Sequence, residues 1–157
     1  MPCKICEICK TVKDISGQDW RYLDPVGPYV CSADCAFKWV RQSKMKGTAL
    51  KMAVFLHLER ANWEYSPYMR LWFRSRYEKR VAEESRRRGF SVRYEELGFV
   101  LSNGNTYTPD FLLRGHCFVE VKGQWGVGAK LKLKRFREEY PDIPLLVMPW
   151  TIQGDFD

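Results

Sequence analysis

The residues best suited to chemistry are two acidic groups and a lysine in the second half of the chain. Asp110 follows a proline, and Glu120 and Lys122 stand two apart within an apolar run. Strand side chains alternate between faces, so Glu120 and Lys122 point to one side while the neighbouring valines point into the core. A hairpin at Gly115 would return the chain and bring Asp110 beside Glu120.

Two carboxylates at that separation repel each other unless a cation lies between them. Oxygen ligands with few geometric constraints suit Mg²⁺, which keeps waters and shares phosphate oxygens. Such an ion lowers the pKa of a bound water and stabilises charge on a reacting phosphate, and Lys122 would orient that water or neutralise charge. A surface Glu–Lys pair on an edge strand has the same spacing, so spacing alone leaves both interpretations open.

The elements that must position these residues follow from periodicity. Phe73, Tyr77 and Val81 are spaced by four and predict a helix over 70–88, which Gly89 would end. The other predicted elements are helices at 48–62 and 130–140 and strands at 91–94, 98–101, 106–113, 117–122 and 145–148. This order predicts a mixed α/β fold.

Composition places limits on the function. The 157 residues are 45% hydrophobic and 29% charged, which supports a packed core rather than disorder. Lysine and arginine number 26 against 19 acidic residues, giving a charge of +7 that attracts polyanions. No apolar run approaches the roughly 20 residues that span a membrane, and the first residues do not resemble a signal peptide, so we expect a cytoplasmic protein and no membrane partner.

Five of the six cysteines fall within the first 35 residues. Cys6 and Cys9 have two residues between them, and Cys31 and Cys35 have three, at a helix start that Ser32 would cap. In a cytosolic chain this spacing predicts a structural zinc site with four thiolate ligands. Cys3 competes for a place in the site, because the first three cysteines are evenly spaced.

Four stretches agree, in order, with a known family. They are FRSRYE at 73–78, TYTPDFLL at 106–113, FVEVKG at 118–123 and REEYP at 137–141. The proline–aspartate and the Glu-x-Lys arrangement resemble the signature of the PD-(D/E)xK nuclease superfamily. The amino-acid sequences of these stretches resemble the phage endonuclease I family, which resolves branched DNA, and the resemblance covers roughly residues 70–150.

The resemblance implies a fold, an activity and roles for residues. It implies a restriction-endonuclease-like mixed sheet flanked by helices, with Asp110 and Glu120 ligating Mg²⁺ or Mn²⁺. Glu78 would help through the metal or a water, and Lys122 would assist the attacking water. It also implies DNA as substrate, a homodimer and a chain that is phage-encoded. The cysteine module departs from the family's pattern, which leaves the preferred DNA open.

We therefore expect a zinc module at 1–45, a connecting helix and linker at 46–69 and a nuclease core at 70–157. The expected function is a Mg²⁺-dependent DNA endonuclease that selects branched DNA, such as a Holliday junction. One alternative is a site-specific endonuclease of the homing or restriction type, in which the zinc module reads sequence. Another is a non-catalytic, zinc-stabilised DNA-binding protein.

Overall fold

The structure is a computed structural model that describes residues 3–15, 26–45, 63–122 and 126–149. Within these ranges, three helices and ten strands follow one another along the chain. The elements are β1 (Cys3–Ile5), β2 (Val12–Asp14), α1 (Ala33–Gln42), β3 (Glu64–Ser66), β4 (Leu71–Phe73), α2 (Arg76–Arg87), β5 (Val92–Tyr94), β6 (Phe99–Val100), β7 (Thr106–Tyr107), β8 (Phe111–Leu113), β9 (Cys117–Lys122), α3 (Val127–Glu139) and β10 (Leu145–Pro149).

A four-stranded mixed sheet forms the centre, in the order β10-β9-β8-β5. β9 pairs in parallel with β10 and antiparallel with β8, which pairs antiparallel with β5. The apolar run of β9 and the short apolar β10 suit strands covered on both faces. The predicted mixed α/β class is confirmed, and β9 has the bounds that the sequence predicted.

Each face of this sheet has its own core. Val119 and Val121 of β9 pack on one face in a cluster that includes residues of α1 and α2. Phe118 packs on the other face with residues of β6, β7 and α3. Side chains alternate along a strand, so Glu120 and Lys122 lie on the face of Phe118, toward α3.

Helix α1 forms as the sequence predicts. The hydroxyl of Ser32 accepts a hydrogen bond from the backbone N–H of Cys35 at 3.2 Å, which satisfies one of the free donors of the first turn. Phe37 is buried, and the guanidinium of Arg88 lies over its ring at 4.5 Å. These contacts join α1 to the end of α2.

The prediction of a helix from residue 70 was wrong at its start. β4 occupies 71–73, and α2 begins only at Arg76, because Ser75 caps it by accepting the N–H of Glu78. Phe73 is buried on the strand, whereas Tyr77 is 42% exposed and does not continue an apolar stripe. A spacing of four residues is compatible with a helix but does not by itself exclude a strand followed by a cap.

Two other predicted elements differ from the structure. The strand predicted over 106–113 is two strands, β7 and β8, separated at Pro109, which has no N–H to donate to a ladder. Helix α3 begins at Val127 rather than at 130. The turn at Gly115 is confirmed, with a φ of +79° that favours glycine. The helix predicted at 48–62 lies outside the described residues.

Over the four described ranges, none of the helices combines the length and apolar character that crossing a bilayer requires.

Candidate active site

Three carboxylates stand in a row across the central sheet. Phe111 of β8 pairs with Tyr94 of β5 on one side and with Val119 of β9 on the other. Both pairings are antiparallel, so Asp110, one residue before Phe111, lies between Glu95 and Glu120. The backbone N–H of Glu95 donates to the carbonyl of Asp110 at 2.8 Å, which continues the ladder by one bond. The register of three strands therefore creates the row.

Sequence reasoning missed Glu95. It follows the last residue of β5 and has a φ of +46°, in the left-handed region that non-glycine residues seldom adopt. This conformation costs on the order of 1–3 kcal/mol, and strained residues of this kind are enriched at functional sites, although Lys10 and Arg70 also have a positive φ. No motif or periodicity marks the position, since only the pairing with β8 brings it beside Asp110.

Glu78 approaches the row from the first turn of α2. Carboxylate oxygens of Glu78, Glu95 and Asp110, the carboxylate cluster, lie within 4.8 Å of one another. The Oε1 atom of Glu78 accepts from the hydroxyl of Ser75 at 3.0 Å, and its Oε2 atom accepts from the hydroxyl of Tyr94 at 2.6 Å. These two bonds orient the Glu78 carboxylate.

Glu120 is held differently. It is only 3% exposed, its Oε1 atom pairs with Nζ of Lys122 at 2.5 Å, and its Oε2 atom accepts from the hydroxyl of Tyr107 at 3.1 Å. Burial raises the pKa of Glu120, although the ammonium of Lys122 opposes the rise. Burial alone would lower the pKa of Lys122, but the carboxylate of Glu120 outweighs it and the pKa is raised. The ammonium therefore stays charged against Glu120.

The surroundings of Asp110 and Glu95 disfavour the charged forms of these two carboxyl groups. The pKa of Asp110 is raised well above its usual range by removal from water and then by the carboxylates of Glu120 and Glu78. Its Oδ2 atom accepts the backbone N–H of Val121 at 2.6 Å, which only partly offsets these effects. Burial likewise raises the pKa of Glu95 despite its ion pair with Arg74 at 3.1 Å.

The donor set of this cluster suits a hard divalent cation. Its members offer only oxygen atoms, close enough to share one ion, and a positive charge would relieve the repulsion that, after burial, raises the pKa values of Asp110 and Glu95. The sequence analysis expected Asp110 and Glu120 to share a metal. The structure places these two in neighbouring positions, but it groups Asp110 with Glu78 and Glu95 and pairs Glu120 with Lys122.

Glu95, Asp110 and Glu120 line a cleft of about 650 Å³. Its walls include Asp110, Glu120 and Lys122, and its rim carries the cationic side chains of Arg74, Lys132 and Arg135. Acidic groups at the base and cations at the rim suit a substrate whose phosphate oxygens reach a metal while neighbouring phosphates meet the rim.

A second group of possible ligands lies in the N-terminal segment. The sulfur atoms of Cys6, Cys9, Cys31 and Cys35, the cysteine cluster, lie within 4.8 Å of one another. Two of their separations are 3.5 Å and 3.8 Å, and sulfurs about 2.3 Å from a tetrahedral zinc would be about 3.8 Å apart. All four are free thiols, and Cys3 is exposed on β1 outside the group.

The thiol of Cys9 is predisposed to ionise. Hydrogen bonds from the hydroxyl and the backbone of Thr11 lower its pKa to about 6. Removal from water and the neighbouring cysteines raise the pKa of Cys31 to about 12, so the four thiols do not ionise together without a compensating cation. Despite its burial, the pKa of Cys6 is also lowered, by backbone hydrogen bonds, and that of Cys35 is raised. A site that stabilises two thiolates and places two more thiols against them fits zinc, which binds cysteine in its thiolate form.

Known proteins are similar to this chain in the region that carries the carboxylates. The family model "Phage endonuclease I" matches residues 61–149, more than half of the chain. Endonuclease I of Escherichia phage T7 is 37% identical over 79 residues, 48% of this chain and 53% of the relative. Endodeoxyribonuclease 1 of Enterobacteria phage T3 is 33% identical over 76 residues, 46% of this chain and 50% of the relative.

The chain spans about half the length of these curated relatives. No solved structure matches it at a significant level. The family match runs from the segment before β3 to the end of β10 and includes the row of carboxylates, Glu78 and Lys122. On this match, the chain belongs to the phage endonuclease I family.

Proposed function

We propose that this protein is a Mg²⁺-dependent DNA endonuclease, with Mn²⁺ as a substitute, that hydrolyses phosphodiester bonds in branched DNA. The observation that carries the proposal is a cleft with a cationic rim that is lined by Glu95, Asp110, Glu120 and Lys122, with Glu78 joining Glu95 and Asp110 in the carboxylate cluster. Family membership and the relatives' names, an endonuclease and an endodeoxyribonuclease, agree with it.

Each side chain of the site has a role in this proposal. Glu78, Glu95 and Asp110 hold the cation, which would lower the pKa of a bound water and stabilise charge on the phosphate. Glu120 positions Lys122, whose ammonium orients the attacking water or neutralises charge at the phosphate. Tyr107 and Tyr94 fix the orientations of Glu120 and Glu78 through their hydroxyl groups.

The finer expectations from the sequence belong to the same proposal. A mixed sheet with helices on both faces is the arrangement of restriction-endonuclease-like folds. Two active sites in a homodimer would allow both strands of a branched DNA to be cut. The phage origin of both relatives supports a phage-encoded protein that acts in the infected cell.

We also propose that the cysteine cluster holds one zinc ion with a structural role. β1 and β2 are three residues each and expose most of their side chains, so this segment has little apolar surface of its own to bury. A closed four-thiolate site contributes folding energy to such a segment. Cys35 lies in the first turn of α1, so the metal would fix β1 and β2 to the helix that packs on the central sheet.

The test of the function is cleavage of a four-way DNA junction and of a linear duplex with the same sequence, both in Mg²⁺. We expect the junction to be cut at least about tenfold faster, equivalent to about 1.4 kcal/mol of discrimination. Cutting of the duplex at one sequence, with no preference for the junction, would instead indicate a site-specific endonuclease. Binding of either DNA without cleavage would indicate a DNA-binding protein and contradict the catalytic proposal.

A further inference from the structure

The outer face of the β3–β4 hairpin exposes aromatic rings beside the cleft. In the register of this hairpin, Tyr65 lies opposite Trp72, and their ring centroids are 5.0 Å apart. Tyr65 is 42% and Trp72 is 40% exposed, whereas Phe73 and Ser66, on the other face, are buried toward α2. The hairpin therefore packs on its neighbours through Phe73 and Ser66 and presents a ring pair on the opposite face, while Leu71 at the turn is also 39% exposed.

The same outer face continues to the active site. Two residues beyond the ring pair, and so on the same face, the guanidinium of Arg74 lies 5.8 Å from the ring centre of Trp63. Arg74 also pairs with Glu95, and it lines the cleft. Trp63, Tyr65, Trp72 and Arg74 thus form a continuous surface, the aromatic strip, that leads out of the cleft.

We propose that the aromatic strip binds unpaired nucleobases of DNA where they leave the duplex at a branch point. Every base has a π face that stacks on an aromatic ring, and Arg74 adds a cation that suits the adjoining phosphate. The strip begins at the site that would hold the scissile phosphate, so bases within a few nucleotides of the cut would reach it. The inference rests on the proposed function, since it takes DNA as the substrate.

An alternative role for the exposed rings is to stabilise the hairpin itself. A cross-strand aromatic pair stabilises a hairpin without any ligand. If the rings only stabilised the hairpin, removal of a ring would lower the thermal stability. It would not weaken fork binding more than duplex binding. Selective loss of affinity for unpaired DNA distinguishes base stacking from hairpin stabilisation.

The experiment compares two DNAs in magnesium-free buffer, which prevents cleavage and leaves the cysteine cluster untouched. One is a forked duplex with unpaired, adenine-rich arms, and the other is the same duplex without arms. We expect Trp72→Leu to weaken fork binding about tenfold, equivalent to about 1.4 kcal/mol, with duplex affinity unchanged. Trp72→Phe keeps a π face and should retain most of the fork affinity.

Tyr68→Leu is the matched control. Tyr68 is 50% exposed at the turn of the same hairpin, but the guanidinium groups of Arg86 and Arg87 of α2 lie over its ring, away from the strip. Fork affinity should be unaffected in this variant. Thermal unfolding of all three variants shows whether the hairpin remains folded.

Three outcomes would overturn the inference. They are equal affinity of the wild-type protein for fork and duplex, unchanged fork affinity in a folded Trp72→Leu variant, and a shift from dimer to monomer in that variant without loss of fork affinity. The last would show that the strip contacts a second copy of the chain. A wild-type protein that prefers forks but cuts no DNA in Mg²⁺ would refute the catalytic proposal alone.

Discussion

Asp110→Asn is expected to reduce junction cleavage by at least about 10³-fold, because several kcal/mol of charge stabilisation by a metal depend on its ligands. The amide keeps the shape of the side chain, and its oxygen still accepts the N–H of Val121. DNA affinity should change little, since the cations that meet phosphates are at the rim of the cleft. Cleavage rate and affinity are measured on the same four-way junction.

The same variant has a second, less obvious expected property. Asp110 is crowded by the carboxylates of Glu120 and Glu78, so replacing it with a neutral group removes repulsion. Without divalent cation, we expect the melting temperature of Asp110→Asn to equal or exceed that of the wild-type protein. If Asp110 served only to stabilise the fold, Asp110→Asn would instead melt at a lower temperature than the wild-type protein.

Glu138→Gln is the matched control for this prediction. Glu138 is an exposed residue of α3 that pairs with Lys134 at 3.9 Å, and it does not line the cleft. Its loss should alter neither cleavage nor stability. Retention of wild-type activity by Asp110→Asn would count decisively against the metal site.

Cys9→Ser is expected to abolish zinc binding and to destabilise the N-terminal segment by at least about 3 kcal/mol. That figure is a fraction of the roughly 10–16 kcal/mol with which structural zinc binds its peptides. Cys9 is exposed, so the substitution removes a thiolate without opening a cavity in the core. Zinc content is measured by elemental analysis, which should give about one ion per chain for the wild-type protein.

Cys3→Ser supplies the comparison that isolates the metal. Cys3 is also exposed and is close in sequence, but it lies outside the cysteine cluster. In the absence of a metal, serine at either position would have the same small effect. Equal zinc content and equal stability in the two variants would show that the cluster does not bind zinc through Cys9.

Local signals in the sequence were enough to predict several elements. β10 is a continuous apolar run and β9 is apolar apart from Glu120 and Lys122, and turn residues bound both strands. Ser32 is a cap whose effect does not depend on distant contacts. The same holds for the turn at Gly115. Asp110 and Glu120 were brought together correctly, because a short hairpin fixes the register of its two strands.

The remaining features depend on contacts between segments distant in sequence. Glu95 enters the site because β5 pairs with β8 across 16 intervening residues, and no local pattern encodes that register. The β3–β4 hairpin was missed because β4 fell in the helix predicted from residue 70 and β3 fell in the linker predicted at 46–69. Neither the β5–β8 pairing nor the packing of the β3–β4 hairpin can be predicted from composition or periodicity.

The carboxylate cluster is expected to hold a divalent cation beside the cleft. The most direct measurement is anomalous scattering from crystals soaked in Mn²⁺. We expect a manganese peak within about 2.5 Å of carboxylate oxygens of Glu78, Glu95 and Asp110. A protein that cuts DNA in Mn²⁺ but binds the ion elsewhere, with this cluster empty, would contradict it.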